Sequence, residues 1–240
     1  MKQIKLIFIS LILWSVAPVL QSCDKNDDDN QQQSTTSNGN NQGNTKCPDS
    51  NHPHMIDLGL PSGTKWACCN LGATKPEEYG NHYAWGETQT KSEYNWSTYR
   101  WGSFYTLTKY NSKSGSGTVD GKTTLEASDD AATANWGAPW HMPTKTQIEE
   151  LQDKTISTWT TENGVNGWKF TGSNGGSIFL PAAGYCWESG LDDAGANGYY
   201  WSSTLYESAP VHAYVLYFDS KENDWSSRDR ARGHSVRPVR

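Results

Sequence analysis

The chain has 240 residues, a net charge of −6, and 12 Trp and 12 Tyr. No basic cluster precedes its last fifteen residues, so the charge excludes nucleic acid as an expected partner. Sparse Leu, Ile and Val with 22 Gly exclude a helical bundle or a parallel α/β sheet as the expected architecture.

In chain order, Lys2 and Lys5 precede an almost wholly apolar run over 6–20, which ends in Leu20-Gln21-Ser22-Cys23. A positive start, an apolar run and a small residue before the cut describe a secretory signal peptide over 1–22. The run is short for a membrane span. Leu20, Ser22 and Cys23 are similar to the bacterial lipobox, so Cys23 is expected to carry a lipid as the first mature residue. Residues 24–46 contain no aliphatic or aromatic side chain. With nothing to bury, 23–46 reads as a lipidated cysteine and a disordered polar stalk. The run Asp24-Lys25-Asn26-Asp27-Asp28-Asp29 resembles an acidic export tag of surface lipoproteins. The expected place is the outer membrane facing the cell exterior, with the lipid as the only membrane contact.

Residues 47–240 have the length of one domain. Short strands are expected at 55–58, 65–69, 83–85, 177–181, 199–203, 213–218 and 235–239, an exposed loop at 115–121, and two helices. The first covers 127–135, where Ser128-Asp129-Asp130 suits a helix start. The second follows Pro143, with Thr144 as cap, Gln147 at the capping-box position, and Ile148 and Leu151 facing the core. This is an α+β fold, loop-rich, with short antiparallel strands. With Cys23 lipidated, Cys47, Cys68, Cys69 and Cys186 allow three pairings, of which Cys47 with Cys68 or Cys69 is favoured.

The domain then resembles a known family. Met55-Ile56-Asp57-Leu58-Gly59-Leu60-Pro61-Ser62-Gly63-Thr64-Lys65-Trp66-Ala67, Ala84-Trp85-Gly86-Glu87, Trp140-His141-Met142-Pro143-Thr144, Leu180-Pro181-Ala182-Ala183-Gly184-Tyr185, Tyr200-Trp201-Ser202-Ser203 and Ser235-Val236-Arg237-Pro238-Val239 are similar, in order, to the FISUMP family (Fibrobacter succinogenes major paralogous domain). The resemblance implies a C-type-lectin-like fold in a surface lipoprotein and says little about activity. On their own chemistry these blocks are structural. Trp140 is expected in the core, and Arg237 is expected as the buried partner of a carboxylate such as Asp57.

No H-E-x-x-H, G-x-S-x-G or phosphate loop is present, so no enzyme, catalytic residue, cofactor or metal is expected. The informative stretch is the last forty residues. Tyr206, Glu207, His212, Lys221, Asp224, Trp225, Ser227, Arg228, Asp229, Arg230 and Arg232 combine rigid amphipathic anchors with adaptable hydrogen-bonding groups, the mix that contact surfaces use. The expectation is an adhesin-like or ligand-capturing module whose C-terminal loops meet an extracellular glycan or protein. The arrangement resembles lectin-fold proteins diversified by retroelements. The main rival is a structural or fimbria-associated envelope protein, and a weaker one is a carbohydrate-active enzyme of unrecognised type.

Overall fold

The computed structural model describes residues 54–240. The expected signal, Cys23 anchor and stalk, with Cys47, lie outside the described residues. The described chain is mixed α+β and mostly antiparallel strand. In order it forms β1 (Met55–Asp57), β2 (Lys65–Ala67), β3 (His82–Tyr83), α1 (Ala131–Trp136), α2 (Lys145–Lys154), β4 (Thr155–Glu162), β5 (Val165–Gly172) and β6 (Ser177–Pro181). Then follow β7 (Tyr185–Trp187), β8 (Gly190–Asp192), β9 (Gly198–Leu205), β10 (His212–Phe218), β11 (Asn223–Asp229) and β12 (His234–Ser235). The main sheet has the order β11-β10-β9-β12-β3, beside a three-stranded β4-β5-β6 sheet and the pairs β1-β2 and β7-β8. Among the described residues no helix is long and apolar enough to cross a membrane.

The main sheet is covered on both faces. On one, Tyr200, Leu216 and Phe218 pack against Ile148 and Leu151 of α2 and Trp168, Phe170, Ile178 and Leu180 of the smaller sheet. On the other, Trp201, Leu205, Ala213 and Val215 meet Trp85, Tyr110, Met142 and the first turn of α1. Large rings sit in both layers, Tyr200, Trp168, Phe170 and Phe218 in the first and Trp201, Trp85 and Tyr110 in the second. The long connection from β3 to α1 contains only two 3₁₀ turns among its loops. It is nonetheless fixed by buried rings whose polar ends find backbone partners: Trp85 Nε1 donates to Ser202 O at 2.8 Å and Tyr99 OH to Trp85 O at 2.7 Å.

The two helices start where their caps dictate. Thr144 accepts from Gln147 N, and the Gln147 side chain reaches back to the Thr144 backbone, completing the capping box. Ile148, Leu151 and Trp140 are buried as expected. The expected helix over 127–135 is divided. Ala127–Asp129 is a 3₁₀ turn, and α1 begins after Asp130, whose carboxylate caps Thr133 N at 2.9 Å and also accepts from Met142 N at 2.8 Å. Asp129 turns inward to Lys109 and Tyr110 OH, at 2.5 and 2.6 Å.

Several expectations are corrected. The β4–β5 hairpin, the β7–β8 pair and strand β11 were not expected. Asn163 and Gly164 sit at φ 48° and 85° between β4 and β5, the positive values that a tight two-residue hairpin turn needs. The expected strand over 235–239 pairs as a strand only at His234–Ser235. Beyond it the chain runs between the early strands: Lys65 and Arg240 exchange both backbone bonds at 2.9 Å, as do His141 and Val239, and Ala67 N donates to Pro238 O. Arg237 is buried, but its guanidinium meets Asn70 Oδ1 and the carbonyls of Ala67, Cys68 and Phe179 at 2.8–3.1 Å, while Asp57 pairs with Lys65. The favoured disulfide between Cys47 and Cys68 or Cys69 is also revised. Cys186 is disulfide-bonded. The Cys68 sulfur instead donates to that of Cys69 at 3.6 Å, and the Cys69 thiol donates to Ala73 O.

Candidate functional site

Strand β11 is an edge, and its register with β10 sorts the C-terminal side chains onto two faces. His212, Tyr214 and Leu216 lie opposite Asp229, Ser227 and Trp225, while Ala213 and Tyr217 lie opposite Arg228 and Asp224. Neighbours across a pair share a face, so Trp225, Ser227 and Asp229 are on one side and Arg228 is on the other.

The first face extends beyond the core layer as a row of rings. Tyr206 lies 6.4 Å from His212 and edge-on to Tyr214 at 5.2 Å, and Tyr214 is edge-on to Trp225 at 5.4 Å. Lys145, in the first turn of α2, stands over Tyr214 and Trp225 at 5.1 and 4.6 Å and pairs with Glu149. His212 Nε2 is 3.1 Å from Asp229 Oδ1. Trp225 is 44% exposed, the most exposed Trp among the described residues with a resolved place in this row. Beside it, between α2 and β11, runs an open groove of about 590 Å³ lined by Glu149, Gln152, Asp153, Asn223, Asp224 and Trp225, among others. Half-wet rings next to amides and carboxylates can stack on a ligand and bond to its polar groups.

The second face carries cations on rings. Arg228 lies 5.4 Å from both the Tyr199 and Tyr217 rings, and Arg232 lies 4.9 Å from Tyr185 and 5.0 Å from Trp187. Tyr199 OH donates to Asp193 at 3.1 Å. Burial, with the Asp193 carboxylate beside it, pushes the Tyr199 hydroxyl up to about 12.

The structure therefore divides the residues read from the sequence. Tyr206, His212, Trp225, Ser227 and Asp229 come together on the first face. Arg228 and Arg232 are on the second. Glu207 and Lys221 are exposed in the connections before β10 and after it, and exposed Asp224 borders the groove while its register with Tyr217 turns its side chain to the second face. Arg230 is a correction: it is fully buried, and no contact surface can use it. Its guanidinium donates to Tyr99 OH and to the carbonyls of Tyr110, Pro210 and Lys109 at 2.9–3.1 Å, and it stacks on Trp85 at 4.8 Å. Sequence reading missed Lys145, Tyr214, Tyr217, Tyr199 and Tyr185 on these faces. Only the alternation of Tyr214 and Tyr217 with buried neighbours along β10 could have marked two of them. Among the described residues, no group of three or more His, Cys, Asp or Glu gathers as a metal site.

Both faces lie within one recognisable segment. Residues 141–239 match a domain of unknown function (DUF8237). That span begins just before α2 and includes the β10–β11 edge, the groove and both arginines of the second face. No curated protein and no solved structure matches the chain.

Proposed function

We propose that this chain is a lipoprotein of the outer membrane, displayed at the cell surface through Cys23, whose domain is a non-enzymatic binding module. The reading includes membership of the FISUMP family and a C-type-lectin-like fold, both drawn from the sequence resemblance. Its contact face is the ring row Tyr206, Tyr214 and Trp225 with Lys145, His212 and the adjoining groove. The observation that carries it is Trp225. A large ring left 44% exposed at the rim of a polar groove, on the outermost strand, is poorly explained by packing. A few Tyr, Trp and basic side chains commonly carry most of an interface's energy.

The test is a glycan and protein array probed with the full chain and with a Tyr206→Ala, Tyr214→Ala, Trp225→Ala variant. The variant is expected to keep its circular dichroism and to bind the identified ligand at least about tenfold more weakly, a loss of about 1.4 kcal/mol or more. A folded variant that binds as tightly as the parent overturns the contact face. The anchor is tested separately: Cys23→Ala is expected to leave the membrane fraction, and unchanged detergent partitioning refutes lipidation.

A further inference from the structure

The second face of the hairpin holds donors that the fold leaves unused. Each guanidinium offers five N–H groups. Arg228 directs Nη1 at Ser226 Oγ and Ser227 O, at 2.7 and 2.9 Å. Arg232 lies over Tyr185 and Trp187, and its buried Nε makes no hydrogen bond. Asp229 Oδ2, 3.6 Å from that nitrogen, is too far for one.

Beneath them lies His234. Its ring is fully buried, stacked on Tyr199 at 5.2 Å and 15°, 4.3 Å from Trp201 and 6.0 Å from Tyr185. Neither ring nitrogen makes a well-formed hydrogen bond. A buried polar ring without a partner is costly, and a Phe here would fill the same space without that cost. Burial first, then His82 and the Arg232 and Arg228 charges, hold the ring well below the ordinary imidazole range. The nearby carboxylates are engaged, Asp193 by Tyr199 OH and Asn197, and Asp229 by His212 and by an ion pair with Arg232 that an incoming anion would have to share. Asp219 and Glu222 act on Tyr217, at the far end of the face from Arg232.

We propose that the ring-rich surface bearing Arg228 and Arg232, over buried His234, binds an oxyanion: a carboxylate, sulfate or phosphate, free or carried on a larger ligand. The planar forks supply paired donors on either side, a geometry suited to such anions. The adjoining half-buried rings of Tyr185, Trp187 and Tyr217 offer stacking surface to a ligand with an apolar or sugar body behind the anionic group. A bound anion neutralises the two guanidinium charges facing His234, so occupation raises the affinity of that imidazole for a proton. This site does not rest on the ring row containing Trp225, which lies on the opposite face.

The experiment titrates the full chain with sodium sulfate, inorganic phosphate, acetate and a sulfated disaccharide, replacing chloride at constant ionic strength. The His234 ring signals are followed by NMR. A saturable shift is expected, with its midpoint weakened about tenfold or more in Arg232→Gln and in Arg228→Gln, and by less in Arg228→Lys, which keeps the charge but loses the fork. Stronger binding of the disaccharide than of free sulfate assigns the anion to a larger ligand, and equal binding assigns the site to the free ion. Sulfate stabilises proteins nonspecifically, so a rise in Tm shared by parent and variants does not count towards binding. Should the Gln variants unfold, Arg228→Lys decides, since it preserves stem and charge. No saturable shift, or the same shift in every arginine variant, overturns the site. So does loss of the shift in Trp225→Ala, which would place the anion on the other face beside Lys145.

Discussion

Arg230 and Arg237 are both fully buried cations held mainly by backbone carbonyls rather than by surface partners. Taking a guanidinium out of water is costly, and here several acceptors and stacked rings offset the cost. Removing one would also strand those carbonyls. Arg230→Ala is therefore expected to lose about 3–5 kcal/mol in a urea titration, against about half a kcal/mol or less for exposed Lys221→Ala. Similar losses for both would refute the role given to Arg230. Three arginines in Arg228-Asp229-Arg230-Ala231-Arg232 look alike in sequence. Only the middle one enters the core, because its acceptors at Lys109, Tyr110 and Pro210 are distant in the chain and brought together by folding. That signal is not local, so no local reading could find it.

His82 is a second buried group with a pH consequence. Burial pushes its imidazole from an ordinary 6.5 down to about 4, with a weaker opposing bond to Ala183 O. The unfolded chain then binds more protons than the folded one between those values. Stability is full above about pH 6.5 and falls as pH drops toward 4. Replacing His82 by Gln, which retains a donor for Ala183 O, is expected to flatten that part of the stability profile. An unchanged slope between pH 6.5 and 4 in the variant would mean that other groups drive the loss.

At the scale of elements, α2 was fully legible and the β4–β5 hairpin was not read. The cap, the box partner and the two buried positions of α2 all lie within eight residues, where local chemistry suffices. Thr144→Ala is expected to cost about 1 kcal/mol by denaturant titration, and a neutral result would show that the box adds nothing. The hairpin has an equally local sign, Asn163-Gly164 between alternating segments, although the Thr and Ser of β4 give its strand the composition of a loop. Its far end is intolerant for another reason. A Cβ on Gly172 would come within 1.8 Å of Leu58 O, whereas one on Gly164 meets nothing within 4 Å. Gly164→Ala should cost about 1 kcal/mol through its positive φ, and Gly172→Ala clearly more, a ranking that thermal melts can test. Strand β11 hid differently: an edge strand buries little, so its polar sequence carried no alternation to read.

Across the whole molecule, composition gave the class correctly: few helices, many short antiparallel strands and an aromatic interior. It could not place the strands beside one another. The main sheet joins β3 to strands from the last third of the chain, and its β12–β9 contact is parallel, while its other pairs are antiparallel. Such long-range pairing is set by tertiary packing rather than by neighbouring residues.

The segment 236–240, wedged between Lys65, Ala67, Leu71 and His141, also governs timing. This segment fills a slot whose walls are made much earlier in the chain. Until it arrives, Trp66 and its neighbours have no partner for that side, and the early strands cannot be sealed. At about 5–20 residues per second the wait from Trp66 to Val239 is roughly 9–35 s, far longer than collapse or hairpin formation takes. The domain is thus a late closer, with an open, aromatic-rich nascent form that has time to meet chaperones before it locks. Deleting 236–240 should leave it in that form permanently, protease-sensitive and dye-binding, while replacing exposed Lys221 by Ala should not.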